Sequence, residues 1–118
     1  APFALAHMKR FHEAPIPRAF AGEIPMEHVL IIHEVDDYDA WKKVFDGAAG
    51  IRKAAGERSY QVLRYQGEPR RIVHFSAWTS IAAARAFFES PRLVKIRQDA
   101  GVKSPEFIYL QELESGTL

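Results

Sequence analysis

Apolar residues recur along this chain in two rhythms, one of period two and one of three to four, and the rhythm changes at glycine, proline and serine. His28 to Val35 is an almost continuous apolar run with a polar end and predicts a first strand. Asp36-Asp37-Tyr38-Asp39 then opens a helix, because an aspartate side chain accepts from free backbone N–H groups and acids favour the positive helix end. Trp41, Val44, Phe45, Ala48 and Ile51 follow at spacings of three and four, which predicts one amphipathic helix running to a left-handed stop at Gly56. Ser59 to Tyr65 and Arg71 to Trp78 predict a second and a third strand, paired as a hairpin across Gly67-Glu68-Pro69. Thr79 or Ser80 caps a second helix carrying Ile81, Ala84, Phe87 and Phe88. Ser90-Pro91 predicts a kink or restart, since proline suits the first turn of a helix with serine before it. Leu93, Ile96 and Ala100 continue the stripe to Gly101, Pro105 falls beyond the helix end, and Phe107 to Leu113 predicts a fourth strand.

The order βαββαβ predicts an α+β, ferredoxin-like fold: a four-stranded antiparallel sheet with two helices on one face and strands one and three central. We assign this domain to residues 26–114, with a tail at 115–118. Residues 1–25 hold Pro2, Pro15, Pro17 and Pro25 without sustained periodicity and read as an irregular arm. His7-Met8 resembles a cloning junction, which would make residues 1–7 vector-derived; a processed or genuine N-terminus is the alternative.

Alternation divides each strand into two sets. In strand three Val73, Phe75 and Ala77 oppose Ile72, His74, Ser76 and Trp78; in strand four Ile108 and Leu110 oppose Phe107, Tyr109 and Gln111. The aliphatic sets are expected to face the helices. Strand one is apolar on both faces, so the second sheet face would expose an apolar patch unless a twin subunit covered it. The expectation is a homodimer, possibly part of a higher oligomer, that closes a dimeric α/β barrel with a pocket between two sheets.

Composition narrows the function classes. The 118 residues suit one domain, and nearly half are hydrophobic, enough for a core. With no cysteine, disulfides, a thiol nucleophile and thiolate-bound metals are excluded, which fits a reducing compartment such as the cytoplasm. The balance of 16 basic against 15 acidic residues lacks the basic excess of a nucleic-acid binder. The RNA-recognition module shares this strand order but needs stacking aromatics on strands one and three, and strand one has none. The longest apolar run, Val29 to Ile32, is strand-sized, so no membrane span is predicted. There is no Gly-rich phosphate loop and no G-x-S-x-G elbow.

Several segments carry a family likeness: His33 to Phe45, Arg52 to Gly56, Val73 to Trp78, Ala83 to Leu93 and Ala100 to Pro105. Through these, residues 27–114 resemble the dimeric α/β-barrel superfamily that includes antibiotic biosynthesis monooxygenases and small polyketide cyclases. The resemblance implies the fold above. It leaves the reaction open, because the superfamily also holds haem-degrading enzymes, aldoxime dehydratases, chlorite-dismutase relatives, isomerases and non-catalytic members.

His74 and His33 are the candidate catalytic residues, since an imidazole can exchange a proton near neutral pH. Taken as side chains of parallel neighbouring strands, both are expected to point into the inter-sheet cavity; Glu34 takes the inward place if the register of strand one is shifted. The bland alternative is a pair of hydrogen-bonded interface histidines. Trp78, Tyr60, Tyr109 and Phe107 are expected to line a pocket for an aromatic or polyketide-like ligand, or else to form dimer core. Arg64 and Gln111 are candidate partners for a substrate oxygen. His7, His12, His28, His33 and His74 show no metal-ligand spacing, so neither metal nor cofactor is predicted; haem held by His33 or His74 is the minor alternative. Asp36, Asp37 and Asp39 read as a helix start, and Lys42, Lys43, Arg52, Lys53, Arg92, Lys95 and Arg97 as solvated helix faces. The leading function is a cofactor-independent monooxygenase or a cyclase/isomerase. The rival is a non-catalytic dimeric ligand-binding or stress-related protein.

Overall fold

The computed structural model describes residues 26–118; the arm at 1–25 and its junction lie outside the described residues. The elements follow in the order β1 (Glu27–Val35), α1 (Tyr38–Gly47), α2 (Ala49–Ala55), β2 (Glu57–Arg64), β3 (Arg71–Trp78), α3 (Ile81–Phe88), α4 (Pro91–Asp99) and β4 (Val102–Gln111). They form the ferredoxin-like α+β fold, with one sheet in the order β2-β3-β1-β4. Every neighbouring pair is antiparallel. β1 and β3 are adjacent as expected, but not parallel: Ile31 lies opposite His74 and His33 opposite Ile72.

The helix starts obey local chemistry. The Asp37 carboxylate accepts from the Ala40 N–H at 3.0 Å, the Ser80 hydroxyl from Ala83 at 3.0 Å and the Ser90 hydroxyl from Leu93 at 3.3 Å. Pro91 sits in the first turn of α4, so the restart at Ser90-Pro91 is real. The expected single first helix is instead parted at Ala48. Its N–H donates to both Val44 and Phe45 carbonyls, at 3.0 and 3.2 Å, and poor helix formers Gly47 and Gly50 flank the break.

The facing of the sheet reverses the expectation from sequence. Val29, Ile31, His33 and Val35 of β1 and Ile72, His74, Ser76 and Trp78 of β3 are all buried, and they share the helix side. The aromatic sets lie there because the space between sheet and helices takes large rings. Trp78 packs on Phe87 and Phe88, with ring centroids 5.6 and 5.3 Å apart, and Phe107 packs on Phe88 at 5.4 Å. Leu30, Ile32, Val73, Phe75, Ile108 and Leu110 lie on the face without helices. The helix side carries two apolar clusters. One is built on Val29, Ile31, Trp78, Ala84 and Phe88, the other on Val35, Trp41, Phe45, Ile72 and Ala100.

Two bulges interrupt the ladders. Arg58 is inserted between Glu57, opposite Trp78, and Ser59, opposite Ala77. On β4, Ser104 and Pro105 stand where β1 has only His33, and Ser104 adopts φ 48°. β4 therefore begins at Val102, ahead of the expected Phe107. Pro105 is accommodated because β4 is an edge strand and the bulge needs no donor there.

Gly56 joins α2 to β2 at φ 127°, where a Cβ would stand 2.7 Å from the Thr79 hydroxyl. The backbone at this glycine also receives the Thr79 N–H at 3.0 Å. Gly56→Ala is therefore expected to lower the unfolding free energy by about 1–3 kcal/mol, measured by urea denaturation. A loss below a few tenths would contradict the strained geometry.

Candidate active site

Between the two apolar clusters the sheet carries polar side chains. Along β1 His33 separates Ile31 from Val35; along β3 His74 separates Ile72 from Ser76 and Trp78. Both histidines line a half-enclosed apolar cleft of about 70 Å³ between sheet and helices. Trp41, Val44 and Phe45 of α1, Arg52 of α2, Phe87 and Phe88 of α3, and Leu93 and Arg97 of α4 complete its wall. The cleft thus lies on the opposite side of the sheet from the expected inter-sheet pocket.

His74 is 4% exposed, and its Nε2 stands 2.9 Å from Oε2 of Glu57, itself 5% exposed. Nε of Arg52 stands 2.8 Å from the other carboxylate oxygen, an ion pair by distance though not aligned as a hydrogen bond. The Arg52 guanidinium also donates to the Phe45 carbonyl at 2.7 Å and lies 3.8 Å above the Phe45 ring. That carbonyl belongs to the last turn of α1, where the break at Ala48 alters the helical pattern. A buried carboxylate thus meets a cation on one side and an imidazole on the other, the pairing that buried charge requires.

Local structure presents Glu57 to this spot. Tyr60 is paired with Ser76 on the helix side, so strict alternation would turn Glu57 away from it. The extra residue Arg58 restores Glu57 to the helix side. Sequence reasoning missed Glu57, and it read Arg52 as solvated, whereas Arg52 is 7% exposed. One signal was available: Trp41, Phe45, Ala48, Arg52 and Ala55 form a single stripe of helical period, and a cation on an apolar stripe needs a partner. Arg97, also read as solvated, is half-buried, donates to the Phe88 carbonyl at 2.9 Å and lies 4.9 Å from the Phe107 ring centroid.

His33 is 5% exposed, and among the described residues neither ring nitrogen has a hydrogen-bond partner. It tilts against Trp41 at 5.4 Å and lies opposite the β4 bulge. Burial, then the neighbouring His74 and Arg97, push its pKa from 6.5 down to about 4, so the ring is neutral at neutral pH. Glu34, the alternative inward residue, stands on the other face near Arg70 at 3.7 Å.

The remaining candidates scatter. Trp78 is fully buried core, its indole N–H donating to the Ser76 hydroxyl at 2.8 Å. Tyr60 is half exposed and adjoins the site edge-on, 5.2 Å from Phe45 and 6.3 Å from His74. Phe107 backs the cleft through Phe88, while Tyr109 lies under Arg85 at 4.1 Å. Arg64 lies over Tyr38 at 5.0 Å, and Gln111 is exposed at the strand end, so neither reaches the cleft wall. Among the described residues no group of three or more His, Asp or Glu side chains is placed to hold a metal, and no helix is long and apolar enough to cross a membrane.

The chain is thus a small ferredoxin-like α+β domain with a cleft on the helix side of its sheet and a buried histidine–carboxylate–arginine set beside it. Residues 32–99, more than half of the chain, match the antibiotic biosynthesis monooxygenase family, and the protein belongs to that family. The match spans His33, Arg52, Glu57, His74 and Arg97. Solved structures agree in fold. SnoaB, a cofactor-independent oxygenase from Streptomyces nogalater, superposes with a TM-score of 0.64 over 78% of this chain and 97% of its own, at 15% identity. The ActVA-Orf6 monooxygenase of Streptomyces coelicolor, solved with the ligand nanaomycin D, gives 0.56 over 80% and 93%, at 17% identity. Rv0793 from Mycobacterium tuberculosis gives 0.55 over 77% and 99%, at 19% identity. No curated protein matches the chain.

Because His33 binds a proton less readily folded than unfolded, its contribution to stability is full above pH 6.5 and is lost as pH falls toward 4. Between about pH 7.5 and 5 this removes about 2 kcal/mol from the unfolding free energy, at 1.36 kcal/mol per pKa unit. His33→Leu is expected to flatten that slope by the same amount in urea titrations. An unchanged slope would show that His33 is not held neutral.

Proposed function

We propose that the protein is a small-molecule oxygenase of the cofactor-independent kind, or a cyclase or isomerase, whose reaction takes place in the cleft between sheet and helices. The observation that carries this reading is His33: a buried imidazole whose two nitrogens have no partner among the described residues, facing a half-enclosed apolar cleft. Such a group is unfavourable in an ordinary core and favourable where a ligand supplies the partner. An aromatic or polyketide-like molecule bearing a hydroxyl or carbonyl fits this need, and SnoaB and ActVA-Orf6 support an oxygenase. His33 and His74 are its proton-handling and hydrogen-bonding groups, with Tyr60 at the rim. Trp78, Phe107 and Tyr109 serve by packing the floor, and Arg64 and Gln111 drop from the site.

At about 70 Å³ the cleft is small beside the roughly 300–1,000 Å³ of typical ligand pockets. A ring-bearing ligand therefore needs the helical layer to part from the sheet. We expect the protein in the cytoplasm, with neither nucleic acid nor membrane as partner.

The homodimer forms, in this reading, through the helix-free face. Leu30, Ile32, Val73, Phe75 and Ile108 make it apolar, the kind of face that a partner surface covers. The partner then covers the sheet behind the cleft. Phe75→Arg is expected to convert a dimer into a monomer in sedimentation velocity; an unshifted dimer would place the interface elsewhere.

For catalysis, oxygen uptake is to be followed over a panel of hydroxylated aromatic and polyketide-like compounds without added flavin or metal, with product analysis for cyclisation. With any substrate so found, His33→Ala and His74→Ala are each expected to lower kcat/KM by about 10²–10⁴. Normal turnover in both would remove the assignment.

A further inference from the structure

We propose that the buried Arg52–Glu57 pair divides the work of the two cleft histidines, with Glu57 a positioning residue that makes His74 the proton acceptor while His33 remains a neutral hydrogen-bonding group. This rests on the reading of the cleft as a reaction site.

The division follows from what faces each ring. His74 on β3 is met by Glu57 and Tyr60 from β2, Phe45 from α1, Arg52 from α2 across the carboxylate, and His33 from β1. A carboxylate ion accepts and does not donate, so the 2.9 Å contact requires the hydrogen on Nε2. Nδ1 is then the basic nitrogen. When it takes a proton from a ligand, the positive charge that spreads over the ring lies against Glu57, whose carboxylate Arg52 holds from the far side at 2.8 Å. The same logic orients a base in other sites, where a second group fixes the tautomer and stabilises the imidazolium.

His33 has the opposite surroundings. His74 from β3, Arg97 from α4 and the Trp41 ring from α1 face it, and among the described residues no carboxylate pairs with it. Its charged form has no anionic support, and its pKa of about 4 agrees. A neutral imidazole offers one donor and one acceptor, which suits holding a ligand oxygen rather than removing its proton. Two histidines on neighbouring strands are thus driven to different roles by one carboxylate, which the Arg58 bulge delivers.

The test needs no substrate. Histidine side-chain ¹⁵N and ¹³C NMR spectra of the full chain, assigned with His33→Asn and His74→Asn, report the tautomer of each ring and its response to pH. The expected result at pH 7.5 is His74 with Nε2 protonated and Nδ1 bare, and a His33 signal that stays constant from pH 8 to 5. Glu57→Gln offers an amide that can donate or accept, so the His74 signals should move toward averaged tautomer values while His33 stays neutral. The double substitution Arg52→Leu with Glu57→Leu removes both charges together and guards against a fold lost to one stranded ion; it should give the same change. With a substrate in hand, Glu57→Gln should lower kcat at least tenfold with little change in KM and displace the acid limb of the pH profile. His74 protonated on Nδ1 in the unaltered protein, His74 signals unmoved in both variants, or a His33 that titrates between pH 8 and 5 would each overturn the proposal. Failure of the catalytic reading would instead show as normal turnover in the His33→Ala and His74→Ala variants, which the tautomer measurement does not touch.

Discussion

A buried carboxylate is the constraint on which this structure turns. Glu57 lies in the layer between sheet and helices, where an isolated charge costs several kcal/mol and must find partners. It finds a cation on α2 and an imidazole on β3, so one side chain ties three elements together. The arrangement needs the turn at Gly56, which brings β2 back beside α2. It also needs the bulge at Arg58, without which Glu57 would face the helix-free side. Polar chemistry is placed by these local irregularities; regular helix and strand supply the apolar walls.

The two faces of the sheet then have different duties. The helix side holds large rings and the polar set, because helices leave a layer deep enough for Trp78, Phe88 and Phe107. The other side is largely apolar, the kind of surface that a second sheet covers well. A cleft on the helix side can open by movement of short helices without breaking the sheet's hydrogen bonds. It can also change its side chains without disturbing the opposite face, which suits a fold shared by relatives of low sequence identity.

Much of this was legible along the chain. The order of the strands, the limits of β3, an aspartate start near Asp37, a cap at Thr79 or Ser80, the restart at Ser90-Pro91 and the stop at Gly56 follow from local rules. His33 and His74 were visible as titratable groups in otherwise apolar strands. Which face they shared with the helices was not, because alternation sorts a strand into two sets without saying which layer each one meets. Taking aromatic–polar sets for interface and aliphatic sets for core inverted the sheet. Glu57 was hidden by a bulge that breaks the alternation, and Arg52 by the habit of reading helical cations as solvated. The early start of β4 was hidden by Pro105, which ends regular pairing in a central strand but not beside a bulge at an edge.

In the proposed reading, ligands bind in the cleft under the helices and not between two sheets. A crystal structure with a bound hydroxylated aromatic molecule tests it most directly. The molecule is expected between β1, β3 and the helical layer, with an oxygen within hydrogen-bond distance of His33 and the layer displaced outward. A ligand seated against Leu30, Val73 and Phe75 on the opposite face, with His33 still unpartnered, would contradict it.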